Sequence, residues 1–221
     1  IRSGHINDND LFLLNNRVVN ESLDVPLETI ILSPTNKKVD SINNVNLQNI
    51  DSETFSYEAS ETGDFKEKPA DEILELKVGA QVMLIKNDLK SPKRWVNGSI
   101  GLVTQLTEDS IHLKIKNKIY KITRDTWVKF DYVFKDGQVM HEVVATFTQY
   151  PIKLAWAVTI HKSQGQTFEK AVIDLDKGSF APGQTYVALS RVTSLDGLFL
   201  TRPINVSDVV FDQNIEDYFL N

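Results

Sequence analysis

Val128-Lys-Phe-Asp-Tyr-Val-Phe-Lys-Asp-Gly-Gln-Val-Met-His-Glu-Val-Val-Ala-Thr-Phe147 reads as two strands and a turn. Val128, Phe130, Tyr132 and Phe134 fall on alternate positions, which places them on one face of an extended chain. Asp136-Gly137 supplies the positive φ angles of a two-residue hairpin turn. Val139, His141, Val143, Ala145 and Phe147 continue the alternation on the returning strand. An antiparallel hairpin is therefore expected here.

The same period of two extends upstream. Gln81–Ile85 reads as a strand, and Asn97-Gly98 is a turn signal ahead of Ser99–Leu106. Ile111–Ile115 and Ile119–Ile122 alternate about a turn at Asn117-Lys118. Five or six short strands between about residues 72 and 150 fit a small antiparallel barrel, which hides its sheet edges by closing.

Outside this block the pattern is that of parallel α/β structure. Glu28–Ser33 and Ala171–Leu175 are compact apolar runs, as expected of strands buried on both faces. Val39, Ile42 and Asn46 share one face of a helix that Thr35 or Asn36 is suited to cap. Asp10–Val19, Pro182–Leu189 and Asp212–Leu220 read as further helices, and Leu198–Leu200 as a strand. Residues 51–71 are polar and acidic, a loop or edge hairpin around Gly63-Asp64. The expected architecture is an α/β, RecA-like parallel-sheet domain of residues 1–77 and 151–221, interrupted by a barrel of residues 78–150.

Composition narrows the function classes. There are no cysteines and the four histidines are scattered, which excludes thiolate metal sites and makes a zinc site unexpected. No apolar run approaches the roughly 20 residues that span a bilayer, so no membrane partner is expected and the location is expected to be cytoplasmic, on the nucleoid if bacterial. The chain starts without Met or a signal peptide and reads as a piece of something longer. Net charge is −6, but it is unevenly spread: −8 over residues 1–77, +6 over 78–162 and −4 over 163–221. A basic middle between acidic flanks suits a polyanion-facing module, or lysines that are merely solvated.

Two segments carry candidate chemistry. In Ala155–Thr167, the side chains of Thr159, His161, Lys162, Ser163, Gln164, Gln166 and Thr167 crowd seven polar groups into nine positions around Gly165. Hydroxyls, amides, an ammonium and free backbone N–H groups are the donors that hold phosphate oxygens; the alternative is a polar loop that caps itself. In Gly183–Arg191, Arg191 ends an apolar helical run. It either complements that helix C-terminus or reaches a phosphate. Trp95, beside Lys93 and Arg94, is either a base-stacking ring or a packing one. Trp127 and Trp156 are expected in the core.

Taken together, Thr159-Ile-His-Lys-Ser-Gln-Gly-Gln-Thr167 and Tyr186-Val-Ala-Leu-Ser-Arg191 resemble motifs V and VI of superfamily-one DNA helicases, closest to the RecD-like branch that includes the petite-integration-frequency (PIF) helicases. Leu76–Asn87 and Val96–Val103 resemble the start of that branch's inserted Src-homology-like barrel, and Ile31–Asn36 its motif IV region. The resemblance implies a role for each. Arg191 would be an arginine finger, with Gln164 and Gly165 near the γ-phosphate. Thr159, His161, Lys162 and Ser163 would touch the single-stranded DNA backbone, and Thr35 and Asn36 another phosphate. The barrel would bear on DNA near the point of strand separation. It implies movement 5′ to 3′, with roles in repair or recombination.

The departure is as informative. No G-x-x-x-x-G-K-[ST] loop occurs in the chain. Asp174 and Asp176 only superficially fit a magnesium-holding pair. ATP and Mg²⁺ are thus expected to be held mainly by a first motor domain of the same polypeptide, N-terminal to Ile1, with no cofactor and no activity in this part alone. The rival expectation is a non-enzymatic nucleic-acid- or protein-binding module with a β-barrel. A phosphate-binding loop in the preceding sequence discriminates between them.

Overall fold

The computed structural model describes residues 6–19, 26, 28–135, 138–176, 178, 179 and 181–211. The expected helix at Asp212–Leu220 and the turn at Asp136-Gly137 lie outside them. In chain order the elements are α1 (Asp8–Asn15), β1 (Ile30–Ser33), α2 (Asn36–Gln48), β2 (Phe55–Glu58), β3 (Ser60–Thr62), β4 (Ile73–Leu76), β5 (Gln81–Leu84), β6 (Ile100–Thr107) and β7 (Ser110–Ile115). They continue with β8 (Lys118–Ile122), β9 (Asp125–Lys135), β10 (Gln138–Gln149), β11 (Ile152–Leu154), β12 (Ala157–Thr159), β13 (Ala171–Ile173), α3 (Gln184–Leu189) and β14 (Leu198–Leu200). Helices are few, and parallel and antiparallel sheets coexist, as in an α/β fold.

The chain divides into two compact units, residues 1–46 with 155–221, and 47–154. In the first, four strands form a wholly parallel sheet in the order β12-β1-β13-β14. Its strands are short and almost completely buried, with Ile30, Leu32, Ala157, Ala171 and Leu200 at or below 1% exposure. This agrees with the unbroken apolar runs in the sequence. Helix α2 buries Val39, Asn43 and Leu47, a row spaced by four, while Ile42 and Asn46 lie at its margin. The buried row is thus shifted from the expected face of Val39, Ile42 and Asn46, because Asn43 has partners inside: its Nδ2 donates to Ala157 O (3.0 Å) and its Oδ1 accepts from Ala157 N (2.9 Å).

The second unit is antiparallel throughout. Its ladders run β11-β5-β6-β7-β8, β3-β10-β9 and β2-β4. The unit begins at Leu47, earlier than the expected barrel start at residue 78, because the polar segment 51–71 contributes paired strands: Phe55–Glu58 pairs with Ile73–Leu76, and Ser60–Thr62 with Thr146–Thr148. Gly63 is required beside this pairing. It has φ +71°, and a Cβ there would stand 2.1 Å from Val144 O. The Val144 region is where the β9/β10 register slips. The turn after β7 falls at Lys116-Asn117, one residue before the expected pair, with Lys116 at φ 54°.

The quoted hairpin forms, with His141 opposite Tyr132 and Val139 opposite Phe134 as a two-residue turn implies, but beyond Phe130/Val143 the register shifts at a bulge. Its distal half is not core, however: Phe130, Tyr132 and Phe134 are 55%, 69% and 74% exposed. The two strands outrun the sheets available to cover them. Only the proximal end, with Ala145, Phe147 and Gln149, is buried. Trp127 leans on Phe147 at 6.2 Å and is half-buried, as is Trp156.

The core of this unit centres on Tyr57, Phe147 and Tyr150, with Tyr57 and Tyr150 edge-to-face at 5.0 Å. Tyr57 Oη donates to Thr107 O (2.8 Å). Burial, assisted by Tyr150, pushes its pKa up to about 12. A phenol titrates near pH 10 once unfolded. The neutral phenol therefore contributes stability that is complete below about pH 10 and is lost as pH rises toward about 12. Tyr57→Phe is expected to flatten part of this alkaline decline, while costing about 1 kcal/mol at neutral pH for the lost hydrogen bond. Unfolding midpoints measured against pH check both effects.

Candidate functional site

Parallel pairing brings the two expected phosphate-contacting loops together. Ser33, at the end of β1, stands opposite Thr159, at the end of β12, and Ile160 N donates to Ser33 O (2.9 Å). The segments that follow, Pro34–Asn36 and His161–Gln166, therefore leave the same edge of the sheet side by side. That edge, at the carboxyl ends of parallel strands, is where open α/β sheets bind ligands.

The segment after β12 is a tight turn. His161–Ser163 makes one turn of 3-10 helix. Thr159 Oγ1 accepts from Lys162 N (3.2 Å), and Ser163 Oγ donates to Ile160 O (2.7 Å). Both residues are buried, at 5% and 0% exposure, so their hydroxyls shape the loop from inside. His161, Lys162, Gln164 and Gly165 are exposed, as are Thr35 and Asn36. Gly165 has φ +77° and open space where a Cβ would be; it is the left-handed backbone that calls for glycine there. Gln166 directs its backbone C=O to Arg191, and its side-chain Oε1 is buried with no hydrogen-bond partner among the described residues.

Arg191 follows α3 and folds back under this turn. Its Nη1 donates to Gln166 O (3.0 Å), with Ser163 O at 3.5 Å. Nε donates to Val187 O (3.0 Å) and Nη2 to Ser190 Oγ (2.9 Å). Backbone bonds also tie the segments: Phe168 N donates to Arg191 O and Thr193 N to Phe168 O. Every partner of this half-buried guanidinium is neutral. It takes part in none of the ion pairs found among the described residues. Carbonyl oxygens orient the planar fork while leaving its charge uncompensated, a condition that favours an approaching anion.

The carboxylates nearby are differently employed. Asp174 Oδ2 pairs with Lys38 Nζ at 2.8 Å, and Asp176 Oδ1 lies 3.2 Å from the same ammonium. Burial disfavours the charge on Lys38, but hydrogen bonds to these two carboxylates outweigh it and raise its pKa. Asp174 Oδ1 also accepts from Asp176 N and Thr201 Oγ1. Asp208 is held by Arg202 through two bonds of 2.7 and 2.8 Å. These acids staple α2 and the loops after β13 and β14. No group of three or more His, Cys, Asp or Glu positioned for a metal occurs among the described residues.

Absent from the sequence-based expectations are Asn43, whose side chain fixes Ala157 at the head of the loop, and Ser190, whose hydroxyl holds the guanidinium. A polar residue four positions from each of Val39 and Leu47 is the signal that marks Asn43.

The family profile described as DNA helicase Pif1, 2B domain, matches residues 66–106. The ATP-dependent DNA helicase Pif1 of Campylobacter jejuni is 32% identical over 213 residues, covering 86% of this chain and 47% of the relative. That of Bdellovibrio bacteriovorus is 40% identical over 136 residues, 61% of this chain and 29% of the relative. The structure of unliganded Pif1 from Bacteroides sp superposes with a TM-score of 0.87 at 34% identity, over 97% of this chain and 50% of that one. The chain is a relative of the C-terminal part of PIF-type helicases. It spans at most about half the length of these relatives. A Bacteroides Pif1 structure bound to ssDNA also matches, with a TM-score of 0.73 at 34% identity. Among the described residues no helix is long and apolar enough to cross a membrane.

Proposed function

We propose that this chain acts as the second motor half of an ATP-driven DNA helicase that moves 5′ to 3′ on single-stranded DNA. The observation that carries the reading is Arg191: a guanidinium oriented by carbonyls of the loop after β12 and of α3, with no carboxylate partner among the described residues. A cation so placed suits the γ-phosphate of ATP held chiefly by a first motor domain, where it stabilises the charge that develops on the transferring oxygens. Gln164 and Gly165 face the same phosphate end. His161, Lys162, Thr35 and Asn36, exposed on the shared sheet edge, contact the DNA backbone, while Thr159 and Ser163 set the loop's shape.

The donor set fits a phosphate. The carboxylates Asp174 and Asp176 do not fit a magnesium ion, since Lys38 already occupies them; Mg²⁺ belongs with the phosphate-binding loop that this sequence lacks. Residues 78–150 serve as the inserted Src-homology-like barrel, bearing on DNA near strand separation. The alternative, a non-enzymatic binding module, predicts no coupling to nucleotide.

ATP hydrolysis separates the two readings. The 221 residues alone are expected to leave ATP intact. Joined to a domain that carries a phosphate-binding loop, they are expected to support DNA-stimulated phosphate release. Turnover by the chain alone refutes the shared-site reading, and absence of DNA stimulation in the joined protein favours the binding module.

A further inference from the structure

The second unit holds a cavity of about 260 Å³ between the segment Lys86–Trp95 and the segment Lys121–Asp125. Five cations line it (Lys86, Lys90, Arg94, Lys121 and Arg124) against two carboxylates, Asp88 and Asp125. The carboxylates are spoken for. Arg94 grips Asp88 through Nε (2.7 Å) and Nη2 (2.8 Å), and its own backbone N–H adds a third bond (2.9 Å). These bonds hold Asp88 well below the usual carboxylate range, so the pair stays ionised and internally neutral. Lys86 Nζ pairs with Asp125 Oδ1 at 2.9 Å.

Three cations then remain. Arg124 donates to Glu58 O and lies over the Tyr150 ring, both uncharged partners. Lys90, Lys121 and Arg124 are exposed and take part in none of the ion pairs among the described residues. The wall behind them is packed: Arg94 stacks on Trp95 at 4.1 Å, and Trp95 meets Tyr120 edge-on at 5.8 Å. Trp95 is thus committed to packing. At the rim Leu89 is 87% exposed, an apolar group beside a cationic hollow.

A chain of net charge −6 has gathered three unneutralised cations around one concavity. Concave clusters of one sign focus potential and raise the local concentration of the opposite charge. A repeating polyanion with apolar faces between its charges matches both the hollow and its rim. We propose that this cavity is a second phosphodiester site for single-stranded DNA, in which Lys90, Lys121 and Arg124 hold backbone phosphate and Leu89 packs against sugar or base. The choice of nucleic acid over another polyanion rests on the helicase reading above. None of the residues lining it belongs to the loop after β12.

The test is fluorescence anisotropy of the whole chain with a fluorescein-labelled oligothymidylate, across a salt series from about 50 to 200 mM. The double variant Lys90→Gln/Lys121→Gln is expected to bind about tenfold more weakly at ~0.1 M salt, and its slope of log K against log salt is expected to fall by about 1 to 2. The double variant Lys114→Gln/Lys118→Gln makes the same change of charge outside the cavity and is expected to bind like the parent. All four lysines are exposed, so thermal midpoints should stay at the parent value; Lys121→Glu alone serves as a second variant, with a similar loss expected. Equal losses in the two doubles reduce the effect to diffuse charge and overturn the site. So does parent-like binding by the first double. Lys162→Gln separates the readings: if it weakens binding while the cavity double does not, the helicase reading stands and the cavity falls. If the parent chain fails to bind at the lowest salt, the DNA reading falls and takes the cavity with it.

Discussion

Replacing Arg191 with alanine in the joined, DNA-stimulated protein is expected to lower ATP turnover by about 10³-fold or more, the range over which arginine fingers act, while leaving single-stranded DNA affinity within about threefold. The argument is electrostatic. Four donor contacts fix the guanidinium, and all go to neutral oxygens: Val187 O, Gln166 O, Ser163 O and Ser190 Oγ. A phosphate oxygen that gains negative charge in the transition state is a stronger acceptor than any of these. The stabilisation is thus specific to the transition state and should appear in kcat more than in KM. Arg191→Lys keeps the charge but loses the planar fork, so it should rescue only part of the rate. The competing explanation is that Arg191 merely ties α3 to the loop after β12. In that case alanine would lower DNA affinity and thermal stability in step with turnover, since His161 and Lys162 sit on the loop it braces. Steady-state phosphate release, DNA anisotropy and a melting curve on the same preparation distinguish the two. Wild-type turnover by Arg191→Ala excludes the finger.

The sequence made some of this legible and hid the rest for identifiable reasons. Strand periodicity indicated the β9/β10 register from the turn to Phe130/Val143, because a period of two allows one pairing that keeps apolar residues on one face, but it gave no sign of the bulge at Val143/Ala145. It did not fix burial: Phe130, Tyr132 and Phe134 alternate like core residues and yet stand exposed, since alternation records which face a side chain occupies and not what covers that face. Buried parallel strands were readable as unbroken apolar runs. The pairing of residues 55–62 was not, because its ladders are long-range and its side chains polar and mostly exposed. At the site, residue types revealed donors but not their direction. Ser163 and Lys162 look alike as phosphate ligands in sequence; in the fold one hydroxyl turns inward to Ile160 O while the ammonium-bearing residue remains exposed. The neutral surroundings of Arg191 come, apart from the Ser190 hydroxyl, from backbone carbonyls, which carry no sequence signature at all.

Asn43→Leu is expected to destabilise the α/β unit by about 2–5 kcal/mol, the cost of stranding two buried backbone groups. Among the described residues β12 is an edge strand of the parallel sheet, pairing with β1 alone. On its other side Asn43 stands in for a missing strand, bonding both N–H and C=O of Ala157, a residue with 0% exposure. Leucine is close to asparagine in size but offers neither donor nor acceptor, so no water-sized gap opens to repair the loss. Asn44→Leu, one residue away and exposed, should change stability by less than about 0.5 kcal/mol. Urea unfolding followed by a probe in the α/β unit measures the difference, read separately from the second unit in case the two melt apart. The consequence reaches the site. Ala157 lies two residues before Thr159, whose hydroxyl starts the turn that presents His161 and Lys162. Loosening β12 at its outer edge should therefore weaken DNA binding under native conditions as well, and by more than Asn44→Leu does. If Asn43→Leu melts like the parent, the side chain is not the edge partner the geometry describes, and the loop after β12 must take its position from β1 alone.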